Sequence, residues 1–248
     1  TYLHAFPMFK SSLISASGNM DEKPLEAKNM AIISKESSIE LDEKSGYEVV
    51  NIQEGANFGQ KAYQIMNAKK PTIAFLHESF AKYIPRLSSR GPLRETQANI
   101  VFVIANTIPT KYQFTATQQV ERLELANVMG ILPGKSRPNE YVIFSGHYDH
   151  LGKRGNVIWY GADDDGSGTV GVMQMAEAFA AAAKKGKYPR RTVVFMAVSG
   201  EEKGLWGSEY YSEHPIYPMD KTTADLNTDM IGRVDTERMT ADTLNYIY

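Results

Sequence analysis

Four short segments of this 248-residue chain carry acids and histidines in arrangements that could hold divalent cations. "SGHYDHLG" supplies His147, Asp149 and His150, and "GADDDGSG" supplies Asp163, Asp164 and Asp165. "SGEEKG" supplies Glu201 and Glu202, and "ADLNTDM" supplies Asp229. Consecutive acids repel and raise one another's pKa, so the triplet is either a solvated turn or lies against a strong positive charge. Taken singly, each segment has an ordinary reading: a solvated loop histidine, an Asp-rich turn, a surface Glu pair beside a lysine. Together they offer the nitrogen and oxygen ligands that zinc accepts. Two divalent ions about 3.5–4 Å apart, with one aspartate bridging them, would let the acids tolerate each other.

The surrounding residues predict how these segments are positioned. "EYVIFSG" (140–146) reads as a strand leading into His147, and "RLELANVMGILPG" (122–134) as another, around a Pro-Gly turn. "RTVVFMAVSG" (191–200) is a continuous apolar, β-branched run suited to a strand buried on both faces, and it leads into Glu201. "SGTVGVMQMAEAFAAAAKK" (167–185) places Val172, Met175, Ala176, Phe179, Ala180 and Ala183 on one helical face. It ends in two lysines and Gly186, as helix termini prefer. "ADLNTDMIG" (224–232) reads as a short strand bearing Asp229. Residues 1 to 115 are more mixed. There "MAIIS" (30–34), "TIAFL" (72–76) and "IVFVIA" (100–105) predict strands, and Phe58, Ala62, Ile65 and Met66 recur at helical spacing. Strands alternating with helices predict an α/β sheet covered by helices, with chemistry just beyond the carboxyl ends of the strands. All four acid-bearing segments fall there.

Bulk properties narrow the function classes. The net charge of −2 gives no electrostatic reason to expect nucleic acid or an anionic membrane as partner. The longest apolar stretch, "VVFMAV", is far short of a membrane span. The absence of cysteine excludes disulfides and thiolate metal sites and is compatible with a secreted or periplasmic location. "GSGTVG" (166–171) matches a dinucleotide-binding glycine pattern, but the preceding carboxylates would repel a pyrophosphate and no acid for a ribose follows about twenty residues on. An EF-hand loop needs acids at alternate positions, not consecutive ones.

Taken in order, "SGHYDHLG", "GADDDGSG", "VSGEEKGLWGS" and "LNTDMIG" resemble the two-zinc aminopeptidases typified by secreted bacterial leucyl aminopeptidases. Glutamate carboxypeptidase, glutaminyl cyclase and the transferrin receptor are relatives of that family. The resemblance covers residues 120 to 235 or so and implies a three-layer αβα sandwich with a mixed, mostly parallel sheet. It implies that His147 and Asp229 hold one zinc, that Glu202 holds the other, and that Asp164 bridges them. Asp149 is expected to orient the His147 imidazole, the Asp164–Asp165 peptide to be cis, and Glu201 to act as general base. The implied reaction is metal-dependent removal of N-terminal residues from peptides. A carboxypeptidase, a glutaminyl cyclase and a non-catalytic scaffold member are the alternatives.

The match breaks in two places. The family pattern has one further histidine ligand downstream of Asp229, and residues 230–248 contain none. His4, His77, His150 and His214 read as surface or structural residues. The chain therefore resembles a zinc peptidase catalytic domain over 1–248, trimmed at both ends, with one well-formed metal site where the complete protein has two. "TLNYIY" at its end reads as the start of another strand. Residues 25–105 faintly resemble a protease-associated insert, and equally an edge of the main domain.

Overall fold

The computed structural model describes residues 1–88 and 93–233, so the strand expected at 243–248 lies outside the described residues. The elements run β1 (Tyr2–Met20), β2 (Lys23–Glu26), β3 (Met30–Ile33), β4 (Ser38–Asp42), β5 (Glu48–Ile52), α1 (Phe58–Asn67) and β6 (Thr72–Leu76). Then follow α2 (Ile84–Ser88), β7 (Leu93–Arg94), β8 (Ile100–Ile104), β9 (Tyr112–Leu132), β10 (Arg137–His147), β11 (Gly152–Arg154) and β12 (Val157–Trp159). The last are α3 (Gly166–Lys184), β13 (Arg191–Val198), α4 (Trp206–Glu213) and β14 (Thr222–Asn227). Contacts divide the chain into two compact units, residues 7–123 on one hand and 1–6 with 124 onward on the other. The division falls within β1 and β9.

The unit that carries the acid-rich segments is a mixed sheet in the order β14-β10-β13-β9. β10 runs parallel to β13, with Tyr141 opposite Thr192 and His147 opposite Val198, and parallel to β14, with Ser145 opposite Asn227. β9 joins β13 antiparallel, Met129 facing Met196. The two strands that flank Pro133-Gly134 are therefore not partners, because β13 lies between them. Gly134 allows this arrangement: its N–H donates to Thr192 Oγ1 at 3.0 Å, and a Cβ there would come within 2.6 Å of the Thr192 nitrogen.

Strand β13 is apolar without alternation because both its faces are covered. Val193 and Phe195 pack with Phe144 against Val172, Met175, Ala176 and Phe179 of α3. Val194, Met196 and Val198 pack with Met129 and Ile143 against Tyr211 of α4. This is the αβα layering expected from sequence, and each fully buried Val, Met or Phe contributes about 1.5–3 kcal/mol. α4 approaches closely through Gly207, whose N–H donates to the Ser199 carbonyl at 2.8 Å and whose carbonyl accepts from Asn127 Nδ2 at 2.8 Å. A Cβ on Gly207 would overlap Asn127 Oδ1 and stand 2.7 Å from the Ser199 oxygen. Gly207→Ala is expected to cost about 2 kcal/mol and lower the melting temperature by about 4–8 °C, measured by differential scanning calorimetry. A shift below 1 °C would show that α4 can back away freely.

The unit of residues 7–123 has its own four-stranded sheet, β3-β8-β6-β5, in which β5, β6 and β8 are parallel and β3 is antiparallel. β6, "TIAFL", is buried at every residue. Ala74 and Leu76 pack with Phe58, Ala62 and Ile65 of α1, while Ile73 and Phe75 pack with Tyr112, Phe114 and Ile39. Asn57 caps α1 by accepting from the Gln60 N–H at 3.1 Å.

Candidate metal centre

Each chemistry-bearing segment leaves the carboxyl end of a parallel strand or the start of α3. His147 is the last residue of β10 and only 2 % exposed. Its Nδ1 lies 2.9 Å from the Asp149 carbonyl oxygen. A carbonyl can only accept, so Nδ1 carries a proton and the neutral ring presents a lone pair at Nε2. Nε2 is buried without a hydrogen-bond partner, 3.1 Å from Asp164 Oδ1, 3.8 Å from Glu201 Oε2 and 3.9 Å from Asp229 Oδ1. Burial alone would depress the His147 pKa. The Asp149 carbonyl and the carboxylates of Asp165, Glu201 and Asp229 outweigh it and raise the value. The surroundings demand positive charge at this point; a proton meets part of the demand and a divalent ion more of it.

The acid triplet resolves into three directions. Asp163 turns away: its Oδ1 accepts from the Gly232 N–H at 2.9 Å, and Arg233 Nε lies 3.5 Å from its Oδ2. Asp165 points inward, 2 % exposed, and accepts from the backbone N–H of His147 and Gly168 at 2.9 Å and of Met230 at 3.3 Å. Asp164 alone faces the cluster, across a cis Asp164–Asp165 peptide of the kind the resemblance implies. The charges that looked mutually repulsive in sequence are thus dispersed, one to a turn, one to a backbone clamp and one to the centre.

Glu201 and Glu202 follow β13 through Ser199 and Gly200, whose φ of 73° suits glycine. Their backbone N–H groups are held by one carboxylate: Glu201 donates to Asp149 Oδ1 at 3.0 Å and Glu202 to Oδ2 at 3.3 Å. Asp149 was expected to orient the His147 imidazole, and the contact it makes is through its backbone. Its carbonyl, not its carboxylate, meets the imidazole; the carboxylate oxygen is 3.8 Å from Nδ1 and is drawn instead to two otherwise unpaired turn donors. Burial, above all, raises the Glu201 pKa. His147 opposes it, while Asp229, Glu202 and Asp149 add to it.

Among the described residues, two groups bring donor atoms within 4.8 Å of one another: His147 with Asp164 and Asp229, and His150 with Asp164 and Glu202. Asp164 is common to both. Asp229 lies just beyond β14, where the Thr228 N–H and hydroxyl both donate to the Ser145 carbonyl at 2.8 Å and fix the loop against β10. His150, read from sequence as a surface or structural residue, is part-exposed, with Nδ1 2.6 Å from Glu202 Oε1. The only sequence signal for it was its place three residues after His147. His4 and His214 lie elsewhere, stacked or tilted against Tyr210. The orphaned, buried Nε2 and the nitrogen-and-carboxylate donor sets fit zinc.

Comparison with known proteins decides the family. Residues 127–246 match Peptidase family M28. These residues form a peptidase family M28 domain. It is a family of co-catalytic zinc peptidases, and every residue of both candidate groups falls within the matched span. A "Probable zinc metalloprotease" of Pyricularia oryzae is 34% identical over 131 residues, 51% of this chain and 25% of that protein. "Probable glutamate carboxypeptidase VP8" of Zea mays is 31% identical over 123 residues, 49% of this chain and 16% of that one. "Aminopeptidase NAALADL1" of Mus musculus is 35% identical over 115 residues, 44% of this chain and 14% of that one. The chain thus spans a quarter or less of the length of these relatives. Among the described residues of the M28 domain and of the 7–123 unit, no helix is long and apolar enough to cross a membrane.

Proposed function

We propose that this chain carries the catalytic centre of a zinc aminopeptidase, which releases N-terminal residues from peptides. The observation that carries this reading is the buried, partnerless Nε2 of His147 facing Asp164, Glu201 and Asp229. His147, Asp164 and Asp229 would hold one ion, with Glu202 and the shared Asp164 serving a second. Zinc bound there supplies a Lewis acid that polarises the scissile carbonyl and a water made acidic enough to attack it.

The chain's own groups do the rest. The Asp149 carbonyl fixes the His147 tautomer, and the Asp149 carboxylate fixes the turn that aims Glu201. Glu201 takes a proton from the attacking water and returns it to the departing amine. The exposed edges of Asp164, Asp229 and Glu201 favour a substrate's cationic α-amine over a carboxylate. Arginine placement supports the same direction. Arg191 starts β13, seven residues and about 23 Å from the end that bears the centre, and pairs with Glu140 at 2.7 Å. Arg233 is turned toward Asp163. We also read residues 25–105, within the 7–123 unit, as a protease-associated-like insert.

The test compares p-nitroanilides of single amino acids, with the amine free and acetylated. Hydrolysis of the free-amine form alone is expected, lost on treatment with a chelator and restored by zinc. Cleavage of N-blocked peptides from the carboxyl end would move the assignment to a carboxypeptidase. No hydrolysis with a full complement of zinc would favour a non-catalytic binding domain.

A further inference from the structure

We infer that the amino end of the sheet, opposite the metal centre, is a docking surface for anionic phospholipid headgroups. The net charge of −2 conceals an uneven distribution. "KKGKYPRR" (184–191) carries five basic residues in eight, and no acid occurs between Glu177 and Glu201. "PGKSR" (133–137) adds two more, with no acid between Glu124 and Glu140. Folding brings the two segments together. The Lys135 N–H donates to the Pro189 carbonyl at 2.9 Å, and the Arg137 N–H to the Arg190 carbonyl at 2.8 Å.

The backbone that presents these charges is held firmly. At the end of α3 the Gly186 N–H donates to the Ala183 carbonyl at 2.8 Å and the Lys187 N–H to the Ala182 carbonyl at 3.0 Å, with Gly186 at φ 78°. Lys135, Arg137, Lys184, Lys185, Lys187 and Arg190 are all exposed. Glu140, the acid near the start of β10, is already engaged by Arg137 at 3.3 Å and Arg191 at 2.7 Å. Asp220 and Lys221, ahead of β14, offset one another. The helix macrodipole accounts for Lys184 and Lys185, but not for Lys187, Arg190, Lys135 or Arg137 beyond it.

Two features select a lipid surface. Tyr188, 50 % exposed between Lys187 and Pro189, has the amphipathic ring that sits at headgroup level. The patch is built from one helix end and two turns, rather than from a projecting helix or β-ribbon that reads a nucleic-acid groove. β10 and β13 both start at this end and finish at the metal centre, so docking here leaves the centre facing away from the lipid.

Co-sedimentation with vesicles of phosphatidylcholine, alone or mixed with phosphatidylglycerol, tests the inference. Binding to the mixed vesicles alone is expected, and it should fade as salt shortens the Debye length below about 10 Å. Lys184→Gln, Lys185→Gln and Lys187→Gln together should weaken binding roughly 100-fold, each lysine contributing about fivefold near an anionic leaflet. Lys44→Gln, Lys61→Gln and Lys111→Gln together, at exposed sites of the 7–123 unit, should change it little. No preference of the wild-type chain for the anionic vesicles, or equal binding by the two triple variants, would overturn the inference. So would binding of duplex DNA that depends on the patch while the vesicles stay unbound, which would assign the surface to nucleic acid.

Discussion

Replacing Glu201 with Gln is expected to lower the proposed peptidase turnover by about 10²–10⁴-fold while leaving zinc content unchanged. The amide preserves the size of the side chain and leaves the backbone N–H on Asp149 Oδ1, so the turn after β13 is unchanged. What it removes is the ability to take and return a proton, worth about 3–5 kcal/mol of barrier. Two further measurements separate a lost base from a lost site. KM for a free-amine substrate should change little, and metal content should equal that of the wild type. Turnover within tenfold of wild type would remove Glu201 from the role of base and direct attention to Asp229 or Glu202.

Asp165→Ala is expected to be the most damaging single change to stability near the centre, at about 3 kcal/mol. Asp165 accepts three backbone N–H groups at a buried position, and each donor left unpaired costs about 1–3 kcal/mol. Part of that is recovered, because burial already penalises the charge and raises the Asp165 pKa against the pull of those same donors. The damage is also directional. The three donors belong to His147, to Gly168 at the start of α3, and to Met230 just past Asp229, so both flanks of the first ligand group lose an anchor. Urea denaturation of the chelated proteins gives the stability difference, and zinc competition gives the loss of affinity. A difference under 1 kcal/mol would mean that water replaces the carboxylate without penalty. Asp165→Asn should fall between, since one oxygen remains and the new amide confronts a donor.

The elements that sequence made legible are those buried on both faces or closed by strong end signals. "TIAFL" and "RTVVFMAV" became β6 and β13 because continuous apolar runs have few alternatives to a covered strand. The long helix was marked at its end by Lys184, Lys185 and Gly186, while its N-cap, Asp165, is found in the structure. β1 and the first half of β9 were not foreseen. Their residues alternate between buried and exposed, and "KSSLISASGNM" exposes most of its length, so no apolar run marks them. The hairpin of β11 and β12 is exposed throughout and equally silent. At the centre, the convergence of His147, Asp164, Glu201, Glu202 and Asp229 followed from strand ends and the family resemblance. The division of labour inside "DDD" did not, because it depends on which backbone donors surround each carboxylate. The partners of Asp149 and His150 were not legible either, because they lie on the turn after β13 and beside Gly161, distant in sequence.

The parallel register of β14, β10 and β13 also separates holding from recognition. His147, Glu201 and Asp229 take their positions from strand ends locked opposite one another, so the insertion or deletion of a residue within those strands would shift a donor by about 3.3 Å and turn it to the other face. The hairpin between β10 and α3 is under no such constraint. The hairpin of Gly152–Trp159 can lengthen at Gly155 without moving either end of its loop, and it already exposes Val157, Ile158, Trp159 and Tyr160 a few residues before Asp164. Loop length and apolar tips can therefore change while the strand ends that place the acids stay as they are.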